Sequence, residues 1–347
     1  MKITRCGLDI AKRVFQVHGV DEEGRVRVRK TLTRKQVLEF FAQLPPCLVG
    51  MEACGSAHYW AREIAKLGHT VKLMAAHFVI AYRKKGKNDA NDAEAICEAV
   101  GRPNMNFVAV KSEEQQAMLM VHRARSLTVA NRTAQANQIR GLLGEFGVVV
   151  PQGVAALRKQ LPGILEDAEN GLPWLARETL AGLLEQLREL DQRVAQYDRQ
   201  ISSLAQHSEP AQRLMAIEGI GPITATAAVA TLGDPRVFAH GRAFAASLGL
   251  TPRQHSTGGH TVLGPITKRG DRYLRTLLVH GARAQLRLVD RNSDAKSAWV
   301  KRLKERRHVN VAAVALAAKH ARIIWAMLAR GTEYRPVQPP AALTAQP

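Results

Sequence analysis

Two aspartates, Asp89 and Asp92, lie in the stretch Lys84-Lys85-Gly86-Lys87-Asn88-Asp89-Ala90-Asn91-Asp92-Ala93. A helical apolar pattern follows at once through Ala93, Ile96, Cys97 and Val100. Carboxylates near a helix start accept hydrogen bonds from its free amides. At this spacing both face one side of the first turn. Carboxylates held that close repel unless a cation lies between them, and a hard divalent ion such as magnesium suits an all-oxygen donor set. An Asp-x-x-Asp pair alone is more often an N-cap with a solvated acid. Two acids further upstream change that reading.

The elements that would position them begin at the N-terminus. Residues 3–9 read as a strand ending in Asp9, and Val14 to Val20 as a second. Asp21-Glu22-Glu23-Gly24 is a turn signal, and Arg25 to Leu32 alternates basic with apolar residues as an edge strand would. This opening is an antiparallel meander. A helix from Lys35 to Leu44 stops at Pro45-Pro46. A short apolar strand, Cys47 to Met51, ends in Glu52; a helix over Tyr59 to Leu67 and a strand over Val71 to Met74 follow. Burying a lone charge is costly, so an acid closing an apolar strand is seldom there for packing. The carboxyl end of a central strand in an open sheet is where ligands usually bind. This order of elements is the RNase H-like arrangement, which clusters Asp9, Glu52, Asp89 and Asp92 around magnesium. Two ions about 3.5–4 Å apart could activate a nucleophile and stabilise a leaving oxygen at phosphorus.

The whole chain is strongly basic. Its 347 residues carry a formal charge of +20, with a pI near 10.3. That excess points to nucleic acid, because neutralised phosphates release counterions. A basic membrane-surface protein is the rival reading, but no transmembrane, signal-peptide or lipidation pattern is present. Aromatics make up only 5% of the chain, which argues against a binder built on stacking of single strands. Cys6, Cys47, Cys54 and Cys97 form no Cys-x-x-Cys pair and read as reduced core residues of a cytosolic protein.

From Glu113 the pattern is long and helical. Met118, Val121, Leu127, Ile139, Leu142 and Phe146 supply the apolar positions, and Arg123, Arg125, Arg132 and Arg140 the charge. Such a helix either has a solvated basic face or lies along a phosphate backbone. Residues 147–175 read as a bend. Leu183, Leu187, Leu190, Val194, Tyr197, Ile201 and Leu204 then form an a/d heptad seam, which could pair within the chain or with a second subunit. Ile217-Glu218-Gly219-Ile220-Gly221-Pro222 matches a helix-hairpin-helix turn, in which Gly219 and Gly221 let backbone amides approach a phosphate without reading bases.

A second chemical stretch runs from Leu250 through Arg253, His255, Ser256 and Thr257 to Gly258-Gly259. Lys268, Arg269, Arg272 and Arg275 follow. A hydroxyl beside several cations suits attack on a phosphodiester. A β-turn whose hydroxyls cap local amides fits the spacing as well. Val309 to Leu328 reads as an apolar helix closing the core, too Ala-rich and too interrupted by Lys319, His320 and Arg322 for a membrane span. The Pro-rich end, from Pro336, reads as disordered.

Taken together, these stretches resemble the DEDD transposases of bacterial insertion sequences. Those enzymes are relatives of the Piv invertases and include the bridge-RNA-guided recombinases. Gly7-Leu8-Asp9-Ile10-Ala11-Lys12, Met51-Glu52-Ala53 and Asn88-Asp89-Ala90-Asn91-Asp92-Ala93 look like the RuvC-like catalytic motifs. Gly249-Leu250-Thr251-Pro252 through Gly259, with Ile266-Thr267-Lys268-Arg269-Gly270-Asp271, looks like the C-terminal transposase motif. The resemblance covers nearly the whole chain. It implies α/β plus all-α architecture: a RuvC-like domain at 1–110, a helical coiled-coil middle at 111–208, and a mostly helical transposase domain with a helix-hairpin-helix motif at 209–330. A disordered tail at 331–347 would complete it.

It also implies a mechanism. A serine attacks DNA to form a 5′-phosphoserine link, helped by magnesium on Asp9, Glu52, Asp89 and Asp92, with the two halves of the site drawn from different subunits. Counted without a gap, the serine of some relatives falls opposite Thr257. Ser256 is taken as the nucleophile because its hydroxyl is less hindered, and Thr257 is the competing position. The implied partners are double-stranded DNA (element ends and target), a structured non-coding guide RNA, and further copies of the chain, as a dimer and then a tetramer on DNA. Phosphates would meet Lys84, Lys85, Lys87, Arg123, Arg132, Arg140, Gly219, Gly221, Arg253, Lys268, Arg269, Arg272 and Arg275. The implied location is the bacterial cytoplasm, at the nucleoid. Two other readings remain: a junction-resolving endonuclease using metal-activated water at the acidic site, and a non-catalytic DNA scaffold.

Overall fold

A computed structural model describes residues 2–84, 86, 88–292 and 294–336. Lys85, Lys87 and the Pro-rich end from residue 337 lie outside the described residues. The chain divides into two compact units, Met1–Glu113 with Leu232–Ala243, and Glu114–Thr231 with Phe244–Pro347.

The first unit is built on a six-stranded sheet. Its strands are β1 (Arg5–Ile10), β2 (Val14–Val20), β3 (Val26–Thr33), β4 (Leu48–Glu52), β5 (Thr70–Met74) and β6 (Phe107–Val108). They lie in the order β3-β2-β1-β4-β5-β6. The β1–β2 and β2–β3 pairs are antiparallel, β1–β4 and β4–β5 parallel, and β5–β6 antiparallel. This is the meander followed by helix-connected strands expected above. Helices α1 (Gln36–Ala42) and α2 (Ala57–Lys66) bury Val37, Phe41, Trp60 and Ile64 in one core with Phe15, Leu32 and Val49. Phe15 and Trp60 meet edge to face, 5.1 Å between ring centres. A short helix α3 (Ala76–Val79) precedes α4 (Asp89–Val100), which lies against β1, β2 and β4.

Two strand glycines make that close approach possible. Gly7 of β1 and Gly50 of β4 are register partners. A Cβ on Gly7 would stand 2.1 Å from the Ala93 carbonyl oxygen and 2.4 Å from the Cys97 nitrogen. One on Gly50 would stand 2.7 Å from Val100 Cβ. Glycine inside a strand usually marks such a backbone approach. Cys6, Cys47 and Cys97 are buried free thiols, as expected, whereas Cys54 is exposed in the turn after β4. His69 Nε2 lies 2.9 Å from the Phe41 carbonyl. A carbonyl only accepts, so Nε2 carries the hydrogen and Nδ1 accepts from the Cys47 amide at 3.2 Å.

The second unit is helical. α5 (Glu113–Glu145), α6 (Val154–Glu166) and α7 (Trp174–Gln206) share a core that includes Ile139, Leu143, Leu157, Leu161, Leu184 and Leu187. The buried line of α7 is Leu180, Leu184, Leu187, Val194, Ile201 and Ala205. It keeps the Leu187, Val194 and Ile201 of the expected seam but leaves Leu183, Leu190, Tyr197 and Leu204 only half-buried. Ion pairs accompany the shift. One residue beyond the seam positions Leu190 and Tyr197 stand Asp191 and Asp198, which pair with Arg132 at 3.3 Å and Arg125 at 2.5 Å on α5. Arg158 of α6 adds a second contact to Asp191, at 3.1 Å.

Beyond this hairpin come α8 (Glu209–Met215), α9 (Pro222–Leu232) and α10 (Gly241–Ser247). A two-stranded ribbon follows, β7 (Pro252–Thr257) with β8 (His260–Ile266), then α11 (Arg272–Leu286), α12 (Ala295–Arg306) and α13 (Val309–Arg330). By length and composition α13 is apolar enough to cross a membrane. Here it is a core helix packed on α11, burying Ala313, Leu316, His320 and Ile324. Tyr334, within the stretch expected to be disordered, has its hydroxyl 3.2 Å from Lys296 Nζ.

Candidate active site

Alternation along a strand places residues two apart on one face. Asp9 follows Gly7 by two, and Glu52 follows Gly50 by two, so both acids share the face on which α4 lies, beyond the glycine pair. The helix enters from Asn88, whose side chain caps it by accepting the Asn91 amide at 2.8 Å. This brings the first turn of α4 towards the strand ends. Asp9, Glu52 and Asp92 line one cavity of about 160 Å³, with Ala76, Ile80 and Arg83. Arg83 Nη1 lies 3.2 Å from Asp92 Oδ1, both side chains being largely shielded from solvent. Asp89 is exposed and does not line the cavity.

Three carboxylates from three elements form an all-oxygen donor set, which fits a hard divalent ion. In the present arrangement Arg83 is the cation beside them, and among the described residues no three acidic, thiol or imidazole groups converge closely enough to hold a metal. Arg83 was not singled out in the sequence. Its signal was only a basic residue a few positions before Asp89, which the neighbouring lysines obscured.

Ser256 and Thr257 lie on β7, not in a loop. Ser256 is the register partner of Thr261, and Thr257 of His260. Gly258 and Gly259 close the ribbon with φ of +54° and +81°, the left-handed pair that a tight hairpin requires. Ser256 Oγ accepts from Gln254 Nε2 at 2.7 Å. Every residue of β7 is exposed, and an isolated two-stranded ribbon is marginal unless anchored. The anchor is at its base. Gly249 and Gly270 admit backbone contacts that no Cβ could share: one on Gly249 would stand 2.4 Å from the Arg269 nitrogen, and one on Gly270 1.8 Å from the Ser247 oxygen. The Lys268 and Thr267 amides donate to the Gly249 and Thr251 carbonyls. The two C-terminal segments singled out in the sequence are thereby locked together.

Two segments of the chain match models of known families. Residues 6–147 match a model described as a transposase, and residues 211–298 one described as the transposase IS116/IS110/IS902 family. The chain is 56% identical over 337 residues to a probable family 20 transposase of Pseudomonas aeruginosa, covering 97% of this chain and all of that one. The chain belongs to the IS110/IS116/IS902 transposase family. Transposases for the insertion elements IS1328 of Yersinia enterocolitica and IS1111A of Coxiella burnetii are 42% and 43% identical, over 96% and 95% of this chain and 98% and 90% of theirs.

The transposase is therefore an enzyme that cuts and rejoins DNA, and its other basic positions divide by structure. Arg123, Arg253, Lys268, Arg269 and Arg272 are exposed. Lys84 lies 3.6 Å from Glu94, Arg140 bonds Asn137, and Arg132 is held by Asp191. Arg275 donates to the Leu248 and Arg269 carbonyls at 2.8 Å, so its guanidinium also ties the base of the ribbon together. Gly219 (φ +83°) faces Gly281 of α11, whose carbonyl oxygen would stand 2.6 Å from a Cβ there, whereas Gly221 opens onto free space. The turn is thus held from one side and open on the other.

Proposed function

We propose that this transposase moves its insertion sequence through a covalent phosphoserine intermediate at Ser256, assisted by a magnesium site on Asp9, Glu52, Asp89 and Asp92. In that reaction Ser256 Oγ bonds to phosphorus, the P–O3′ bond breaks, and the 3′-oxygen leaves with a proton while the serine hydroxyl loses its own. A divalent ion would supply charge stabilisation at the phosphoryl oxygens. The chain's own carboxylates would hold and orient it, and Asp89, now exposed, would join them by a side-chain rotation on the first turn of α4. The ribbon carries an exposed hydroxyl on a fixed base, as a nucleophile that must meet a bulky duplex requires. A structured non-coding RNA supplying the sequence choice fits a basic protein whose cations lie along helices and turns. The enzyme would act as a homo-oligomer, a dimer that forms a tetramer on DNA, in the bacterial cytoplasm at the nucleoid.

The observation that carries this reading is the cavity shared by Asp9, Glu52 and Asp92. The test is excision of the element in cells, followed at the rejoined donor junction. Asp9→Asn and Ser256→Ala should each abolish it, and RNA encoded by the element should co-purify with the wild-type protein. The second reading, a junction nuclease using metal-activated water, rests on the same cavity and leaves Ser256 without a part. Full activity of Ser256→Ala would favour it.

A further inference from the structure

A larger cavity, about 760 Å³, lies within the second unit between α12, α13 and the segment Thr332–Arg335. Its floor is apolar, with Ile323, Ala326 and Met327 on one face of α13. Lys296, buried to 7% exposure, lies at its edge. That lysine is already compensated: its Nζ lies 2.9 Å from Glu218 Oε2 and 3.2 Å from the Tyr334 hydroxyl.

The remaining cations around the cavity lack a direct acid partner among the described residues. Lys319, Arg330 and Arg335 line it against one acid, Glu333, and among the described residues none of the three has an ion-pair partner. Lys319 Nζ instead stands 4.7 Å from the centre of the Trp299 ring. Burial holds the Lys319 pKa below its ordinary value, the charges of Arg322 and Lys296 add to that effect, and the charge of Asp294 offsets it only in part. A partly buried lysine crowded by cations gains most from an anion that enters beside it. A volume of this size is in the range of small-ligand sites, which combine apolar walls with a few polar anchors.

We infer that this cavity takes one unpaired nucleotide of a DNA strand, its phosphates on Lys319, Arg330 and Arg335 and its base on the floor formed by Ile323, Ala326 and Met327. Tyr334 at the rim offers the base an aromatic edge. Aromatics are too scarce in this chain for an extended stacking platform, but a single nucleotide needs only one such pocket. The site is separate from the acidic cavity and from Ser256, and it does not depend on either being catalytic.

The experiment uses the full-length protein and a fluorescent twelve-nucleotide oligothymidylate, titrated at several salt concentrations. Lys319→Gln with Arg330→Gln should weaken binding about tenfold and lower the salt slope by about 1.4, since each phosphate contact on a single strand contributes roughly 0.7. Arg188→Gln with Arg199→Gln, the same change of charge elsewhere on the surface, should leave affinity within about twofold. Ala326→Trp fills the floor without altering charge; it should weaken binding several-fold and leave the salt slope unchanged. Thermal unfolding of each variant near the wild-type temperature establishes that the fold is kept. Should the cavity pair lose no more affinity than the control pair, or Ala326→Trp bind as wild type, the inference is overturned. Equal binding and equal losses with oligouridylate would overturn its assignment to DNA.

Discussion

Arg83 Nη1 stands 3.2 Å from Asp92 Oδ1 at the mouth of a cavity that Asp9 and Glu52 also line. In the proposed metal site the guanidinium would compete with the ion for Asp92. Arg83→Gln should therefore bind manganese more tightly, by about fivefold if the pair is worth about 1 kcal/mol. Titration calorimetry on the full chain measures this, with Asp9→Asn as the variant that should lose the heat altogether. Weaker binding by Arg83→Gln would mean that the arginine helps to build the site.

The glycine pair under α4 is the second test. Gly7→Ala places a methyl group against the Ala93 carbonyl and the Cys97 nitrogen, both backbone atoms that cannot swing away. Overpacking of this kind costs about 1–3 kcal/mol or more. Chemical denaturation should show that loss, whereas Gly55→Ala, where a Cβ meets nothing within 4 Å, should change stability far less.

The ion pairs across the helical hairpin give a third. Asp191 is 17% exposed and receives both Arg132 and Arg158. Asp191→Ala leaves two arginines without their acid, and should cost about 1–2 kcal/mol, more than an exposed pair would. Asp191→Leu should recover part of the loss, because the position lies on the buried line of α7 between Leu187 and Val194. Thermal unfolding separates the two variants.

A pH dependence follows from His122. Thr226 Oγ1 donates to the Pro222 carbonyl at 2.7 Å, so it must accept from His122 Nε2, while Nδ1 accepts from the Tyr273 hydroxyl at 3.0 Å. Burial, aided by the charge of Arg125, pushes the His122 pKa down from 6.5 to about 4. The folded form is thus neutral where the unfolded chain begins to take up a proton. Stability is unaffected above pH 6.5 and falls as pH drops towards 4, by up to about 3 kcal/mol from this residue. His122→Gln should remove this residue's share of the acid loss and leave that of His320, whose pKa burial pushes down to about 3, measured as denaturation midpoints from pH 7 to pH 4.

Much of the first unit was legible because its signals are local. Strand periodicity, Pro45-Pro46 and the turn at Asp21 to Gly24 fix a meander, and acids that close apolar strands stand out against the cost of burying them. What could not be read was pairwise. Apolarity alone put Leu183, Leu190, Tyr197 and Leu204 in the α7 seam beside Leu187, Val194 and Ile201, whereas the largely shielded Asp191 on the buried line is met by Arg132 of α5 and Arg158 of α6. Likewise Arg83 has no periodicity to mark it; it directly follows the short 3-10 turn Ile80–Tyr82, its amide bonded to the Ile80 carbonyl. Ser256 was visible as a hydroxyl beside two glycines, but the ribbon that presents it depends on Gly249 and Gly270 meeting backbone far away in sequence. Arg275 shows the converse, a cation in a basic run that is spent on carbonyls of its own chain.

The most direct measurement is to trap the reaction on suicide DNA carrying the element end, digest the protein, and map the nucleotide adduct by mass spectrometry. The adduct should sit on Ser256 as a 5′-phosphodiester, disappear with Ser256→Ala, and fail to form with Asp9→Asn although that variant still binds the DNA. An adduct on Thr257, or DNA cut to completion with no residue modified, would contradict the assignment.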